Sequence, residues 1–117
     1  MKYEAIEKLS KEEIMNALER NDAHELSRAV LSAALCCEDV DFAENICVQL
    51  SNHEHFNVRG NAILAFAHIA RIHGKLNEQK IKPIIENALR DEDSFARGQA
   101  NDAKDDIEFF LKWKFEN

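Results

Sequence analysis

Two-helix units recur along this chain, and the recurrence restricts its fold more than any other feature. Ile14 and Leu18 end one apolar helix face; Ile46 and Leu50 do the same 32 residues later, and Ile85 and Leu89 another 39 residues on. Phe42 and Ile81 add the preceding turn in the last two units. The match continues past the following loop, where "VRGNA" at 58–62 aligns with "ARGQA" at 96–100. Core positions Val58, Ala62, Ala65, Ile69 and Ile72 thereby map onto Ala96, Ala100, Ala103, Ile107 and Phe110, and "AVL" at 29–31 matches "AIL" at 62–64. A unit of this size cannot bury its apolar face alone, so the units must stack.

Local punctuation agrees. With three glycines, one proline and no sustained period-two alternation, the chain offers no place for a sheet. Ser10 and Glu13 form a capping box. Asp39 or Asp41, Asn57 and Asn77 are placed to cap later helices, and Gly74 to follow one as its C′ residue. The pattern predicts six helices at about 10–20, 23–36, 41–51, 57–73, 78–90 and 94–113, with a short leading helix over 3–9. Gly60 and Gly98 fall at equivalent places in the first turn of a second helix, where Gly costs about 1 kcal/mol against Ala. Its repetition predicts a close backbone approach at both.

The units resemble HEAT repeats. That pattern has a proline in the first helix, an acidic residue in the tight turn, and Val-Arg opening the second helix. Pro83, Asp91, Ala96 and Arg97 fit it, and Asn52, Val58 and Arg59 fit it with Asn in the turn; the first unit lacks the arginine and is a divergent end. The resemblance implies an all-α fold: a single domain over 1–117, an α-solenoid of about three HEAT-like antiparallel helix hairpins with units at about 10–37, 41–74 and 78–113. It also implies that Arg59 and Arg97 pair with the turn carboxylate of a neighbouring unit, and that the role is scaffolding or binding, with no particular chemistry attached.

Charge narrows the partners. A formal net charge of −7 and a pI near 5.2 disfavour generic binding to nucleic acid or anionic membrane and suit a basic protein. No apolar run approaches the ~20 residues of a membrane span, and "MKYEAIEKLSKEE" has no secretory apolar region, so a cytoplasmic location is expected. Cys36, Cys37 and Cys47 are odd in number and form no Cys-x-x-Cys pair; they read as small buried hydrophobes.

Chemistry is hard to place. His53 and His55 form a His-x-His pair in a loop, but His68 and His73 are five apart, about 140° around a helix, and do not converge as a zinc site requires. His24-Glu25 and His53-Glu54 are out of register with the His-Glu motifs of helical-repeat di-iron enzymes. No Gly-rich phosphate loop or nucleophile motif is present. Cys47 lies on a helix face with Val48 and Leu50, and Glu44, Asp102 and Asp106 form no acid/base pair. No catalytic, metal or cofactor residue is therefore assigned.

One surface stands out. Packed between two units and its own partner, the helix at 57–73 keeps a line free: Asn57, Asn61, Leu64, His68 and Arg71, continuing to Lys75. The last unit repeats the line as Gln99, Asp102, Asp106, Phe109 and Trp113, and the first as Arg28, Leu31, Leu35 and Glu38. A wet helix face accounts for such a line without any function. The directional hydrogen-bonding groups, and the mixture of carboxylates with aromatics, instead suit the centre of a protein interface. Asn57, Asn61, Leu64, His68, Arg71, Gln99, Asp102, Asp106 and Phe109 are the candidate partner-binding residues. Asp102, Asp105, Asp106 and Glu108 make an acidic cluster, and Trp113 and Phe115 are placed to close the end of the core.

A small acidic HEAT-like chain carrying "NVRGNAILAFAHIARIHGKL" resembles stand-alone bacterial immunity proteins of polymorphic toxin systems, including contact-dependent growth inhibition. The resemblance implies stoichiometric binding and neutralisation of a cognate toxin domain, typically a basic nuclease, with no enzymatic step, no cofactor and no direct contact with nucleic acid or membrane. The alternative is a general HEAT-like adaptor in another bacterial complex; a metal-dependent enzyme on the same scaffold is a third reading.

Overall fold

The computed structural model describes residues 8–115, and among them there are six helices and no strand. Each helix starts where a side chain can accept from an otherwise unpaired backbone amide. Ser10 accepts from the Glu13 amide at 3.0 Å while Glu13 accepts from the Ser10 amide at 2.9 Å, completing the capping box of α1 (Lys11–Arg20). Asp22 caps α2 (Ala23–Cys36), and Asp39, not Asp41, caps α3 (Val40–Leu50). Asn77 caps α5 (Glu78–Ala88) and Asp93 caps α6 (Ser94–Leu111).

The cap of α4 (Phe56–His73) differs from expectation: His55 holds it, its Nδ1 accepting from the Asn57 amide at 3.2 Å, and Asn57 lies inside the helix. Gly74 ends α4 at φ 71°, the left-handed conformation that glycine adopts without strain. Of the expected leading helix, Lys8 and Leu9 are not helical and residues 3–7 lie outside the described range. No helix among the described residues is long and apolar enough to cross a membrane.

Each odd-numbered helix packs on the helix that follows it, and α2, α4 and α6 lie side by side in one layer. Helix α4 is the centre, touching α2, α3, α5 and α6, and it buries nine residues from Val58 to Ala70. Its largest contact is with α6, and both helices carry fully buried alanines, Ala62 and Ala65 on α4 and Ala100 and Ala103 on α6. At Gly60 the approach of α6 leaves no room for a side chain. A β-carbon there would lie 2.8 Å from the Phe95 ring and 3.2 Å from the Ala96 Cα. Gly98 makes no equivalent approach: a β-carbon there would meet nothing within 4 Å, because among the described residues no helix packs on that edge of α6 as α6 packs on α4.

Three further expectations are corrected. Ile72 and Phe110 are 42 % and 40 % exposed, not core. Helices α4 and α6 have 18 residues each and α3 and α5 only 11, so the second helices outrun their partners by about 10 Å at ~1.5 Å per residue. Measured from the shared turn, the overhang holds Ile72, Phe109 and Phe110. Of the cysteines, Cys47 alone is fully buried, whereas Cys36 and Cys37 are half-buried where α2 ends. Among the described residues, Arg97 has no ion pair with another unit. Trp113 and Phe115, by contrast, do pack against the core, with their rings 5.9 Å apart.

Candidate functional site

The second-helix layer brings the polar line together as a connected array. Asn61, one turn into α4, donates through Nδ2 to Asn57 Oδ1 at 2.8 Å and reaches Ser27 Oγ on α2 at 3.5 Å. From the other side, Gln99 Nε2 on α6 donates to Asn61 Oδ1 at 3.3 Å. One side-chain amide thus links three helices. These bonds hold the groups at fixed positions and reduce the side-chain freedom that a partner would otherwise have to remove.

One turn pair further on, His68 and Asp106 are electrostatic neighbours. The separation of His68 from Asp106 equals that of Asn61 from Gln99, 38 residues, so α4 and α6 keep one register along the face. Burial pushes the half-buried His68 imidazole below its usual range; Arg71 pushes the same way and Asp106 opposes both. At neutral pH the ring is therefore uncharged and offers one donor and one acceptor. Leu64 is half-buried against the core. Arg71, Asp102, Asp106 and Phe109 are exposed, Phe109 by 68 %. Phe109 stands edge-on to Phe110 at 5.1 Å, with Lys112 Nζ 5.2 Å from its centroid. The nine residues picked out in the sequence thus fall into a bonded centre of Asn57, Asn61 and Gln99, a neighbouring His68–Asp106 pair, the half-buried Leu64, and an open margin of Arg71, Asp102 and Phe109.

Sequence reasoning missed Ser27. It lies 34 residues before Asn61, whereas the repeat alignment had placed Arg28 on the line.

A second polar concentration lies at the turns. Arg59 forms a bidentate pair with Asp91 of the next turn, Nε to Oδ2 at 2.7 Å and Nη2 to Oδ1 at 2.8 Å. Its Nη1 donates to the carbonyls of His53 and Glu54. The Arg59 hydrogen bonds hold the Asp91 carboxyl below the usual carboxylate range. Arg97 copies the loop half of this arrangement, donating through Nη1 to the carbonyls of Asp91 and Glu92 at 2.7 and 3.3 Å. A cleft of about 580 Å³ opens beside these turns, lined by His53, Glu54, Arg59, Asn87, Arg90 and Asp91 among others.

The residues considered for chemistry have structural tasks here. His53 Nδ1 accepts from the His55 amide at 3.0 Å, so its Nε2 carries the proton and donates to Asn21 Oδ1 at 2.8 Å, tying the first turn to the second. The Glu44 carboxylate accepts from the Asn77 amide at 3.0 Å and fastens the loop between α4 and α5. Burial pushes the Cys47 thiol up to about 12, with Glu44 adding to the shift, which removes the thiolate needed for nucleophilic attack. Among the described residues, no three His, Cys, Asp or Glu side chains converge on a point where a metal ion could sit.

No protein-family model and no curated protein matches this sequence. The fold is similar to that of a chain in the crystal structure of a CDI complex from Cupriavidus taiwanensis, with a TM-score of 0.80 at 22 % identity, covering 94 % of this chain and 97 % of that one. At that identity the likeness establishes the fold.

Proposed function

We propose that this chain is an immunity protein that binds a cognate toxin domain one to one and neutralises it, in the cytoplasm and without turnover of any substrate. Its scaffold is read as three HEAT-like hairpins over 10–37, 41–74 and 78–113, with the second helices presenting the binding face. The observation that carries this reading is the end-to-end fold likeness to a chain from a CDI complex, taken together with the resemblance in sequence to contact-dependent inhibition immunity proteins. Likeness along nearly the whole of both chains fits one shared module better than a borrowed fragment.

The chemistry of the face fits a basic partner such as a nuclease. Exposed Asp102 and Asp106 lie beside a pre-bonded polar centre, so long-range attraction and short-range fixation have separate residues. Neutral His68 brings hydrogen-bonding capacity to the centre without the desolvation cost of a buried charge. The decisive test is isothermal titration of this chain against the toxin domain encoded beside it, with rescue of growth when both are expressed. One-to-one nanomolar binding with rescue supports the proposal; absence of heat together with absence of rescue overturns it.

A further inference from the structure

The contact between α4 and α6 is a joint with two matched halves. On α4 the halves are Arg59 and Gly60; on the following unit they are Asp91 and, four residues later, Phe95. The carboxylate meets the guanidinium, and the ring fills the notch where Gly60 has no side chain. Helix α6 carries the same first half again, as Arg97 and Gly98. Arg97 Nη1 holds the loop carbonyls as Arg59 does, but among the described residues nothing accepts from its Nε or Nη2. Gly98 is exposed and, among the described residues, a β-carbon there would meet nothing; its backbone is not left-handed, so neither close packing nor conformation calls for a glycine.

Below the notch the two helices diverge. Ile63 and Ala67 are buried on α4, while Asn101 and Asp105 at the equivalent positions on α6 are exposed. A further apolar repeat does not suit that edge; a segment with basic turns after the joint does.

We infer that the outer edge of α6 is a docking point for a partner protein segment that enters a helix with an acidic residue and, four residues later, an aromatic one, followed by basic turns. The acid takes the free donors of Arg97, the ring seats on Gly98, and the basic side chains meet Asp105. This repeats, between two proteins, the joint already formed inside the chain. A second copy of this chain is a poor occupant, because its Asp91 and Phe95 already hold its own Arg59 and Gly60. The edge is distinct from the polar line through Asn61, so it does not depend on the toxin reading.

The test is an NMR titration of the full-length ¹⁵N-labelled chain with a synthetic peptide of residues 88–105 carrying Asp102→Lys and Asp105→Lys. The expected result is amide shifts centred on Arg97 and Gly98. Each of Asp91→Ala and Phe95→Ala in the peptide, and Gly98→Leu in the protein, should weaken binding by about tenfold or more. Shifts centred elsewhere, no shift at millimolar peptide, or indifference to Gly98→Leu would overturn the inference. So would concentration-dependent self-association of the chain that Gly98→Leu abolishes, since the occupant would then be a second copy.

Discussion

Arg59→Ala should be among the most damaging polar substitutions in this protein, and Arg97→Ala should not, although the sequence places both at the same repeat position. Arg59 and Asp91 have side chains only 19 % and 12 % exposed and share two short charge-assisted bonds. Truncating one partner of a buried pair costs about 3–5 kcal/mol. Partial exposure and the Asp93 amide, which still donates to Asp91 at 2.9 Å, lower this to roughly 2–3 kcal/mol. For a domain of this size that is a fall in Tm of roughly 8–15 °C. Arg97→Ala loses only bonds to two carbonyls, about 0.5–1.5 kcal/mol, or a few degrees.

The pair also has a pH signature. The folded pKa of Asp91 lies below its unfolded value, so its contribution is complete above the unfolded carboxylate value, ~4, and is lost as pH falls through the folded value. Circular-dichroism melts of wild type and both variants at pH 7 and pH 3 would check this. Equal losses for the two arginines, or a gap between wild type and Arg59→Ala that does not narrow at pH 3, would refute the reasoning.

The glycines give a test by sign. Gly60→Ala forces a β-carbon against the Phe95 ring and the fixed Ala96 Cα, an overpacking cost of about 1–3 kcal/mol that exceeds the ~1 kcal/mol gained in helix propensity, so Tm falls. Gly98→Ala meets nothing among the described residues and should raise Tm by a few degrees. Surface plasmon resonance with the cognate toxin domain at two salt concentrations should separate two effects. Asp102→Lys with Asp106→Lys slows association and flattens its salt dependence, whereas Asn61→Ala or His68→Ala speeds dissociation; unchanged rates in both sets would remove the second-helix face as the interface. Thiol labelling of the native protein at pH 8 should modify Cys36 and Cys37 and spare Cys47 until unfolding, and prompt native labelling of Cys47 would contradict its burial.

Helix positions were legible in the sequence because caps and apolar spacing act within a few residues. Ser10, Asp39, Asn77 and Gly74 do what their side chains and backbone freedom dictate. Asn57 misled because an imidazole nitrogen one residue outside the helix took the amide first. The errors at Gly98, Arg97, Ile72 and Phe110 share another cause. Repeat equivalence transfers a residue's position but not its surroundings, and the surroundings depend on whether a neighbour follows and how long the partner helix is. The polar line was legible as a line, since helical spacing fixes it. That Asn61 would join Ser27 to Gln99 was not, because small rotations between helices decide which residues face each other.

The two sides of the molecule are fastened by different forces. Helices α2, α4 and α6 adhere through close apolar contact, while α1, α3 and α5 share no extensive contact with one another. What ties the outer helices together is polar and exposed: Lys11 to Asp39 at 2.6 Å and Lys80 to Asn45 at 2.8 Å. Such tethers exchange for water at little cost, whereas separating the inner helices would expose apolar surface. Parting the outer helices therefore costs less than parting the second-helix layer, and strain that spreads the outer helices leaves the Ser27–Asn61–Gln99 register intact.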